Sequence, residues 1–532
     1  MERTPSPEVT AKPGTGLPAD PAAPSPRRVE RREWAWLAAA SVVVLAAASL
    51  PWLWAALRTP ASLHWSGFIW YPPDDSLLLS ALWEGVRGHW LHRPPYALAD
   101  GPGALFYPEY LLLGHVSAWT RLDPVTVLHL ARLACGALLL VSLYSFVARF
   151  HANLPHRRFA FLLAATGAGL GWVVLLFTGV RSTEMSMPET FPFFAMLASL
   201  HLTLALAALL WVLDALVPEG GGPPRGRRGR LVAGALVLAI VQPFGTVIAG
   251  AVGGAWAAAR WVRERRPPRG ALLRLLVLAA ASLPFILHEI ATIALNPAYA
   301  GWREQVRAPA PPAWQLVLAA GLLLPFALAG AVKAARRRSA NDLLLLAWLA
   351  ATAVLVALPW YQSRRFDFAA YVPVALLAAI ALERARGPDT GLERGLFVTI
   401  NALGSVLVLG ASLMLMVHHD RTVFMSRDEW DAVRFLRAHA RECEVVLAPP
   451  ATSMFVMASA PLRVVHGHPA ETPRAAATRA SVEDFYRGAA PLPDTLLARV
   501  DWIVAGARGP AIPAGFERAF AAGDVEVYGR QR

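Results

Sequence analysis

Two adjacent carboxylates, Asp74 and Asp75, lie in the stretch HWSGFIWYPPDDSLLLSALWEG, residues 64–85. A carboxylate that takes the proton of an attacking hydroxyl group is a common general base in group-transfer enzymes. Acids after Pro-Pro also suit a structural role, because the first turn of a helix favours negative charge and an N-cap acceptor. A cap needs only one side chain, however, and a second acid in such apolar surroundings carries a desolvation cost. We therefore expect at least one of the two aspartates to be catalytic.

Two adjacent cations, Arg364 and Arg365, lie in YQSRRFDF, residues 361–368, between two apolar segments. Guanidinium groups bind a phosphate with bidentate geometry, so this pair is a candidate phosphate site. The alternative is that the two arginines anchor the chain at a membrane interface or pair with Asp367. Weaker candidates of the same kind are Arg181, Arg303 and Arg307.

Several other ionisable residues lie in or beside apolar segments, where such residues are functional candidates by default. The candidates for lining a cavity are Glu109, His115, Glu184, Glu189, His288 and Glu289. Glu184 and Glu189 could also complete a divalent-metal site with an aspartate. No metal-ligand spacing is visible, so the metal requirement stays open.

The segment VVHGHPAET, residues 464–472, follows a predicted strand, where open α/β sheets place their ligand loops. Its His466, His468 and Glu471 could bind a metal ion or a sugar. The alternative is a polar loop that leads into a helix cap, and the sequence alone favours this alternative. No glycine-rich phosphate loop is present in this part of the chain.

The composition indicates that these residues are positioned by membrane-spanning helices. The chain has 532 residues, 56% of them hydrophobic and 16% charged, and its mean hydropathy is +0.42. A soluble protein carries about 25% charged residues. The net charge of +13 does not indicate nucleic-acid binding, since the basic residues concentrate in short loops, as in the cytoplasmic loops of membrane proteins. These loops are RRVERR (27–32), RGRRGR (225–230), RERRPPR (263–269) and KAARRR (333–338).

The basic loops predict a topology. Residues 1–33 form a disordered cytoplasmic tail, and an uncleaved first span over residues 34–57 delivers residues 59–124 to the outer face, where two interfacial helices are expected. Residues 231–261 have basic flanks on both sides and are interpreted as a hairpin that turns at residues 241–245, with a single tilted span as the alternative. The total is about eleven spans, and an odd number places the C-terminal region on the outer face.

The composition changes after the membrane domain, which covers residues 34–425. SRDEWDAVRFLRAHA has helical spacing behind a serine that can cap it. ECEVVLAPP, LRVVHG and VDWIVAG resemble buried parallel strands, and VEVYGR alternates like an edge strand. We therefore predict a small extracytoplasmic α/β domain over residues 426–532.

Three segments of the chain resemble the GT-C superfamily of membrane glycosyltransferases, which includes protein mannosyltransferases, lipid A aminoarabinose transferases and uncharacterised bacterial relatives. They are PPDDSLLLSALWEGVRGHW (72–90), GPGALFYPEYLLLG (101–114) and HLARLACGALLL (129–140). The resemblance covers residues 34–417 in layout and only the first part of this range in motif. It implies a polytopic α-helical fold with a functional first outer loop.

The resemblance also implies a function. The family uses a polyprenyl-phosphate sugar donor, and an acid in the first outer loop takes the proton from the acceptor hydroxyl as it attacks the anomeric carbon. A single displacement of this kind inverts the configuration at that carbon. The family pattern favours Asp74 as the base, with Asp75 supporting it or exchanging roles with it. The expected location is the bacterial cytoplasmic membrane, and the acceptor is a glycan, a lipid or a protein.

Two other classes of function compete with a transferase. In a transporter or lipid flippase the acids would bind a proton or cation, and the broken segment at residues 241–245 favours this class. However, no internal repeat is visible, and the acids lie in an outer loop rather than at mid-membrane. In a non-catalytic scaffold or sensor the outer domain would recognise a partner, and Asp74 and Asp75 would be dispensable.

Overall fold

The computed structural model describes residues 29, 31–99, 101–217, 226–383, 391–506 and 509–531. Most of the predicted tail, residues 1–33, lies outside the described residues, and the first helix begins at Arg31. The α-helices are α1 (Arg31–Arg58), α2 (Pro72–Val86), α3 (Pro108–Thr120), α4 (Pro124–Val147), α5 (Leu154–Thr166), α6 (Gly171–Thr178), α7 (Pro192–Ala198), α8 (Leu200–Leu216), α9 (Arg227–Val241), α10 (Pro243–Glu264), α11 (Arg269–Leu295), α12 (Ala300–Gln305), α13 (Ala313–Ala320), α14 (Leu323–Arg337), α15 (Ala340–Val356), α16 (Tyr371–Leu382), α17 (Gly391–Val417), α18 (Arg427–His439), α19 (Pro450–Ser459), α20 (Ala475–Tyr486) and α21 (Asp494–Leu497).

The strands and the short 3₁₀ turns are concentrated outside the long apolar helices. The strands are β1 (Leu63–Trp65), β2 (Phe424–Ser426), β3 (Val445–Leu447), β4 (Arg463–Val464), β5 (Trp502–Gly506), β6 (Phe516–Ala522) and β7 (Val525–Arg530). The 3₁₀ turns are Thr183–Met185, Pro297–Tyr299 and Ser363–Asp367.

The helical part of the chain is a multi-pass membrane domain. Within the described ranges, six helical segments are long and apolar enough to cross a membrane, or seven if α13 and α14, which meet at a bend of 83°, count as one span. The apolar helices α8 and α15 are shorter. The count of about eleven spans stays a prediction, because several predicted spans are broken into shorter helices.

The helix break predicted at residues 241–245 is present. α9 ends at Val241 and α10 begins at Pro243, whose ring has no N–H to continue the first helix. Gln242 between them is buried, and its carbonyl accepts the Gly245 N–H at 2.8 Å. Inside a membrane, backbone groups at a helix break must be enclosed by protein. Gln242 at this break lines the internal cavity that is described below.

A second break, between α7 and α8, is supported by a buried arginine. The carbonyl groups at the end of α7 have no partner within the helix. The Arg132 guanidinium, on α4, bridges this helix end to α1 by donating to three backbone carbonyls at 2.7–3.1 Å. Its acceptors are Ala48, Met196 and Leu197. All three bonds start at Nη1, so backbone dipoles stabilise this part of the buried charge.

The two helices predicted in the first outer loop are α2 and α3, and they pack face to face through glycines. A Cβ atom at Gly85 would lie 2.0 Å from the Leu111 carbonyl oxygen, and one at Gly114 would lie 2.1 Å from that of Leu82. Only glycine therefore allows the two backbones to approach this closely. The pair also shares a hydrophobic cluster with Phe455 of α19.

The same loop is joined to the C-terminal region by a small antiparallel sheet. β1 pairs with β2, with Leu63 opposite Ser426 and Trp65 opposite Phe424. The ring of His64 stacks on Trp430 with 3.7 Å between the centroids. The first outer loop and the beginning of the C-terminal region are thus one packed unit.

The C-terminal residues form a five-stranded mixed sheet in the order β4-β3-β5-β7-β6. β3 runs parallel to β4 and β5, as the three apolar segments predicted. The prediction that VEVYGR is an edge strand is wrong, since β7 pairs with β5 on one side and with β6 on the other. Most residues of β7 are only partly buried, which explains its alternating sequence. The edge strand on this side of the sheet is β6, most of whose residues are exposed.

Because β1 and β2 are paired, residues 59–124 and the C-terminal domain must lie on the same side of the membrane, which the basic loops predict to be the outer one. Single cysteines in a variant that lacks Cys135 and Cys443 check this with a membrane-impermeant maleimide. We expect R87C and D494C, both at exposed positions, to be labelled in intact spheroplasts. R266C, in an exposed basic loop, should be labelled only after permeabilisation. Protection of R87C in intact spheroplasts would contradict the predicted topology.

Candidate active site

A cavity of about 1140 Å³ lies where residues 59–124, the membrane helices and the C-terminal domain meet. Ligand pockets are commonly about 300–1,000 Å³, so this one can hold a large or two-part substrate. Its walls come from α2, the α9–α10 break, α11, α12, α17, the 3₁₀ turn at Ser363–Asp367 and the loop after β4. The predicted residues that line it are Asp74, Asp75, Glu109, Arg181, Glu189, His288, Glu289, Arg307, Arg364 and Arg365.

The first turn of α2 directs Asp74 toward the cavity. Pro72 and Pro73 begin the helix, and a proline in the first turn loses no helical hydrogen bond. The Asp74 side chain is 62% exposed, and its Oδ1 lies 3.0 Å from Nε2 of His468. Tyr71 is the N-cap, and no side-chain cap is formed. Neither Asp74 nor Asp75 is therefore the N-cap of α2, which was the structural role considered for them.

Asp75 has a different environment, although it also lines the cavity. Its Oδ2 accepts the backbone N–H groups of Ile69 at 3.0 Å and Trp70 at 3.3 Å, which holds the chain that leads into α2. Burial raises the pKa of Asp75 to about 7, with a smaller contribution from the Asp74 charge, against the opposing effect of these hydrogen bonds. Asp74 is thus the accessible carboxylate, and Asp75 supports the segment before it.

The two predicted cations lie on the 3₁₀ turn Ser363–Asp367 and line the same cavity as the aspartates. The Arg364 backbone N–H donates to the Ala308 carbonyl at 3.0 Å. The Arg365 side chain is held by Gln362, whose Oε1 accepts its Nε–H at 3.2 Å, and it lies 5.6 Å from the ring centroid of Phe244. Among the described residues, its remaining guanidinium N–H groups have no hydrogen-bond partner, so they can bind a ligand. Arg364 and Arg365 therefore share one cavity with Asp74 and Asp75.

Glu109, on the first turn of α3, lines the cavity beside α2. Burial raises the pKa of Glu109 to about 8, so this carboxyl group is largely protonated at neutral pH. His288, on α11, accepts the Leu105 N–H at 3.3 Å through Nε2, which ties the first outer loop to α11. Glu189 and Glu289 complete this set of lining residues.

Two of the predicted cavity residues lie elsewhere. His115 does not line the cavity: its Nε2–H donates to the His89 carbonyl at 3.1 Å, and its ring stacks on Trp90. Glu184 accepts the Trp172 N–H at 3.0 Å and therefore caps the beginning of α6. Arg303 also has a structural role, since it donates to the carbonyl of Ala294 at the end of α11. The expectation that His115 and Glu184 line the cavity is corrected accordingly.

Among the described residues, the structure assigns no metal ligands. Across the part of the chain that the structure describes, no group of three or more His, Cys, Asp or Glu side chains is arranged to hold a metal ion. Glu184 is directed to a helix N-terminus, and only Glu189 of the suggested pair lines the cavity. The suggested Glu184–Glu189 metal site therefore lacks one of its ligands.

Two residues for which the sequence favoured a structural interpretation line the cavity, namely His468 and Glu471. Both lie in the loop after β4, and Tyr96 of the outer loop donates its hydroxyl to the Glu471 carboxylate. His466 of the same segment is buried and does not line the cavity. The position of the loop after a parallel strand was the signal that could have identified it.

Replacement of Asp75 by Asn should make thermal stability less dependent on pH. The pKa of Asp75 is raised to about 7, against about 3.9 in an unfolded chain. Its contribution to stability is therefore complete at low pH and is lost as the pH rises through about 7. Asn keeps an oxygen that can accept the Ile69 and Trp70 N–H groups but cannot ionise.

The measurement is the apparent Tm of the detergent-solubilised protein across this pH range. We expect the difference in Tm, D75N minus wild type, to increase as the pH rises from about 4 to about 8. The control D494N changes an exposed aspartate and should give a difference that does not vary with pH. If the difference in Tm between D75N and the wild type did not vary with pH either, the raised pKa of Asp75 would be contradicted.

The chain was compared with known proteins. No protein-family model matches it, and no curated protein matches it. Several solved structures are similar over most of its length. The Archaeoglobus fulgidus oligosaccharyltransferase in the apo form has a TM-score of 0.54 and 13% identity, and the match covers 90% of this chain and 70% of that one. ArnT from Cupriavidus metallidurans bound to undecaprenyl phosphate has a TM-score of 0.53 and 13% identity, with coverages of 94% and 98%. The arabinofuranosyltransferase AftD from Mycobacteria has a TM-score of 0.50 and 17% identity, with coverages of 96% and 40%.

At these identities the similarity establishes the fold. All three structures belong to GT-C glycosyltransferases, the superfamily that the first outer loop resembles in sequence. The match to ArnT covers nearly the full length of both chains, so it includes the C-terminal part as well as the membrane helices. The chain has the GT-C fold of membrane glycosyltransferases.

Proposed function

We propose that the protein is an integral-membrane glycosyltransferase. It transfers a hexose or pentose from a polyprenyl-phosphate donor to an acceptor hydroxyl on a glycan, lipid or protein, at the outer face of the bacterial cytoplasmic membrane. The GT-C fold supports this activity, and the similar ArnT structure is bound to undecaprenyl phosphate. The observation that carries the proposal is an accessible carboxylate, Asp74, in one cavity with Arg364 and Arg365.

The arrangement suits a single displacement at the anomeric carbon. Asp74 takes the proton of the acceptor hydroxyl while the hydroxyl oxygen forms a bond to the anomeric carbon. The bond from that carbon to the phosphate oxygen breaks, its electron pair remains on the phosphate, and the configuration is inverted. A phosphate leaves without protonation, so one base is sufficient. The arginines stabilise the charge that develops on the leaving phosphate.

The cavity has a lining that suits the parts of such a substrate. Its polar lining includes the two arginines, the carboxylates of α2 and the loop that carries His468. The lining also includes apolar residues, which suit a polyprenyl chain. They are Leu175, Leu202, Val241, Phe285, Leu407, Ala411 and Leu415.

Replacement of Asp74 by Asn should abolish most of the sugar transfer, because the amide cannot take the acceptor proton. A positioned base contributes about 10²–10⁴-fold, and we expect a decrease in this range. The assay supplies radiolabelled undecaprenyl-phosphate sugars and an extracted membrane acceptor to the full chain in proteoliposomes. D494N, at an exposed site far along the chain, is the matched control.

Undiminished transfer by D74N would exclude Asp74 as the base. Absence of transfer by the wild type with every hexose and pentose donor would exclude the proposed activity. In a transporter, by contrast, D74N would change the uptake or flipping of a labelled lipid without any transfer to an acceptor.

Replacement of Arg364 or Arg365 by Gln should weaken binding of the donor phosphate. A hydrogen bond to a charged group contributes about 1.5–3 kcal/mol, so each substitution should raise the donor KM or lower kcat/KM about 10- to 100-fold. The acceptor KM should stay unchanged. R487Q, which alters an exposed arginine that pairs with Asp484, is the control. A loss confined to the acceptor KM would contradict the assignment.

A further inference from the structure

The best-defined contact of Asp74 comes from the opposite end of the chain. His468, in the loop after β4, lies 394 residues away in sequence, and its Nε2 lies 3.0 Å from Oδ1 of Asp74. The imidazole side chain is only 6% exposed, whereas the carboxylate is 62% exposed. Oδ2 of Asp74 has no hydrogen-bond partner among the described residues, so it remains available to an acceptor hydroxyl.

The other ring nitrogen of His468 determines which nitrogen carries the proton. Nδ1 accepts the backbone N–H groups of Ala470 at 3.2 Å and Glu471 at 3.1 Å, so in the neutral ring it is the unprotonated nitrogen. The proton is then on Nε2, which donates to Asp74. A hydrogen bond that is donated to a carboxylate stabilises its ionised form, which is the form that a general base needs.

The loop that carries His468 is held from two sides. Thr472 accepts the N–H groups of Gly467 at 3.3 Å and His468 at 3.0 Å through its hydroxyl. Gln305 of α12 donates to the Thr472 carbonyl at 2.6 Å and accepts the Ala475 N–H at 2.9 Å.

Glycine allows α12 to approach this loop closely. A Cβ at Gly301 would lie 2.1 Å from the Glu471 carbonyl oxygen, a backbone atom that cannot move aside as a flexible side chain can. The imidazole is therefore fixed by the membrane domain as well as by its own loop.

We infer that His468 is a positioning residue through which the C-terminal domain completes the catalytic site. This inference rests on the proposed function. His468 donates one hydrogen bond to Oδ1, which orients the carboxylate so that Oδ2 faces the acceptor hydroxyl. The imidazole exchanges no proton in the reaction. The C-terminal domain thus contributes to the rate of transfer, and not only to the binding of an acceptor.

Two substitutions separate this role from a structural one. H468N places an amide oxygen near the position of Nδ1, so it can keep the loop contacts with Ala470 and Glu471 but cannot donate to Asp74. H468Q places an amide N–H near the position of Nε2, so it can donate to Asp74 but loses the loop contacts. Both variants are reconstituted as the full chain and assayed with radiolabelled undecaprenyl-phosphate sugars and the extracted acceptor.

We expect H468N to lower kcat about 10- to 100-fold with unchanged donor KM, the size that a lost hydrogen bond to a charged group predicts. H468Q should retain kcat within about threefold of the wild type even where its Tm is lower. The double variant D74N/H468N should be no slower than D74N, because residues that act as a unit are not additive. H466A alters the neighbouring buried histidine and should leave kcat unchanged.

The reverse order, with H468N close to the wild type and H468Q impaired, would overturn the inference and indicate a structural role. So would equal activity of both variants, or a further loss in the double variant. In each of these cases an active wild type and an inactive D74N would leave the proposed function standing. An inactive wild type would remove the proposed function and this inference together.

Discussion

The antiparallel pairing of β1 with β2 holds the structure of the candidate site together. It joins the residues just after the first long helix to those just after the last one, which are more than 350 positions apart in the chain. The C-terminal sheet is thereby placed over α2, and the loop after β4 reaches the first turn of that helix. Together with the cluster around Phe455 and the contacts of Gln305 with the His468 loop, this pairing lets the C-terminal domain supply one wall of the cavity.

The charges of the cavity are arranged to limit the cost of removing them from water. Asp75 is stabilised by two backbone N–H groups, Asp74 by an imidazole N–H, and Arg365 by a side-chain amide. Each of these contacts leaves part of the charged group free for a ligand. A buried charge without a partner would be too costly, whereas a fully paired one could not react. The candidate site therefore combines hydrogen-bonded carboxylates, a held Arg365 guanidinium group and apolar residues in one lining.

Much of this was predictable from local features of the sequence. Hydropathy and the positions of basic loops predict a multi-pass membrane protein, because they follow from the transfer of side chains between water and lipid. Pro72 and Pro73 predict the beginning of α2, and Gln242-Pro243 predicts a helix break, because both depend on the backbone chemistry of proline. The first outer loop also resembles the GT-C superfamily strongly enough to indicate the fold, which the solved structures confirm.

By itself, the sequence determined the class of the protein, the positions of most helices and the acids and cations that are candidates for chemistry. The tertiary structure decided which of them meet. It directs His115 to Trp90 and Glu184 to a helix N-terminus, and it brings His468 from a loop that looked structural to within 3.0 Å of Asp74. Local propensity acts over a few neighbouring residues, whereas contacts across 394 positions depend on how complete elements pack, which no short pattern records.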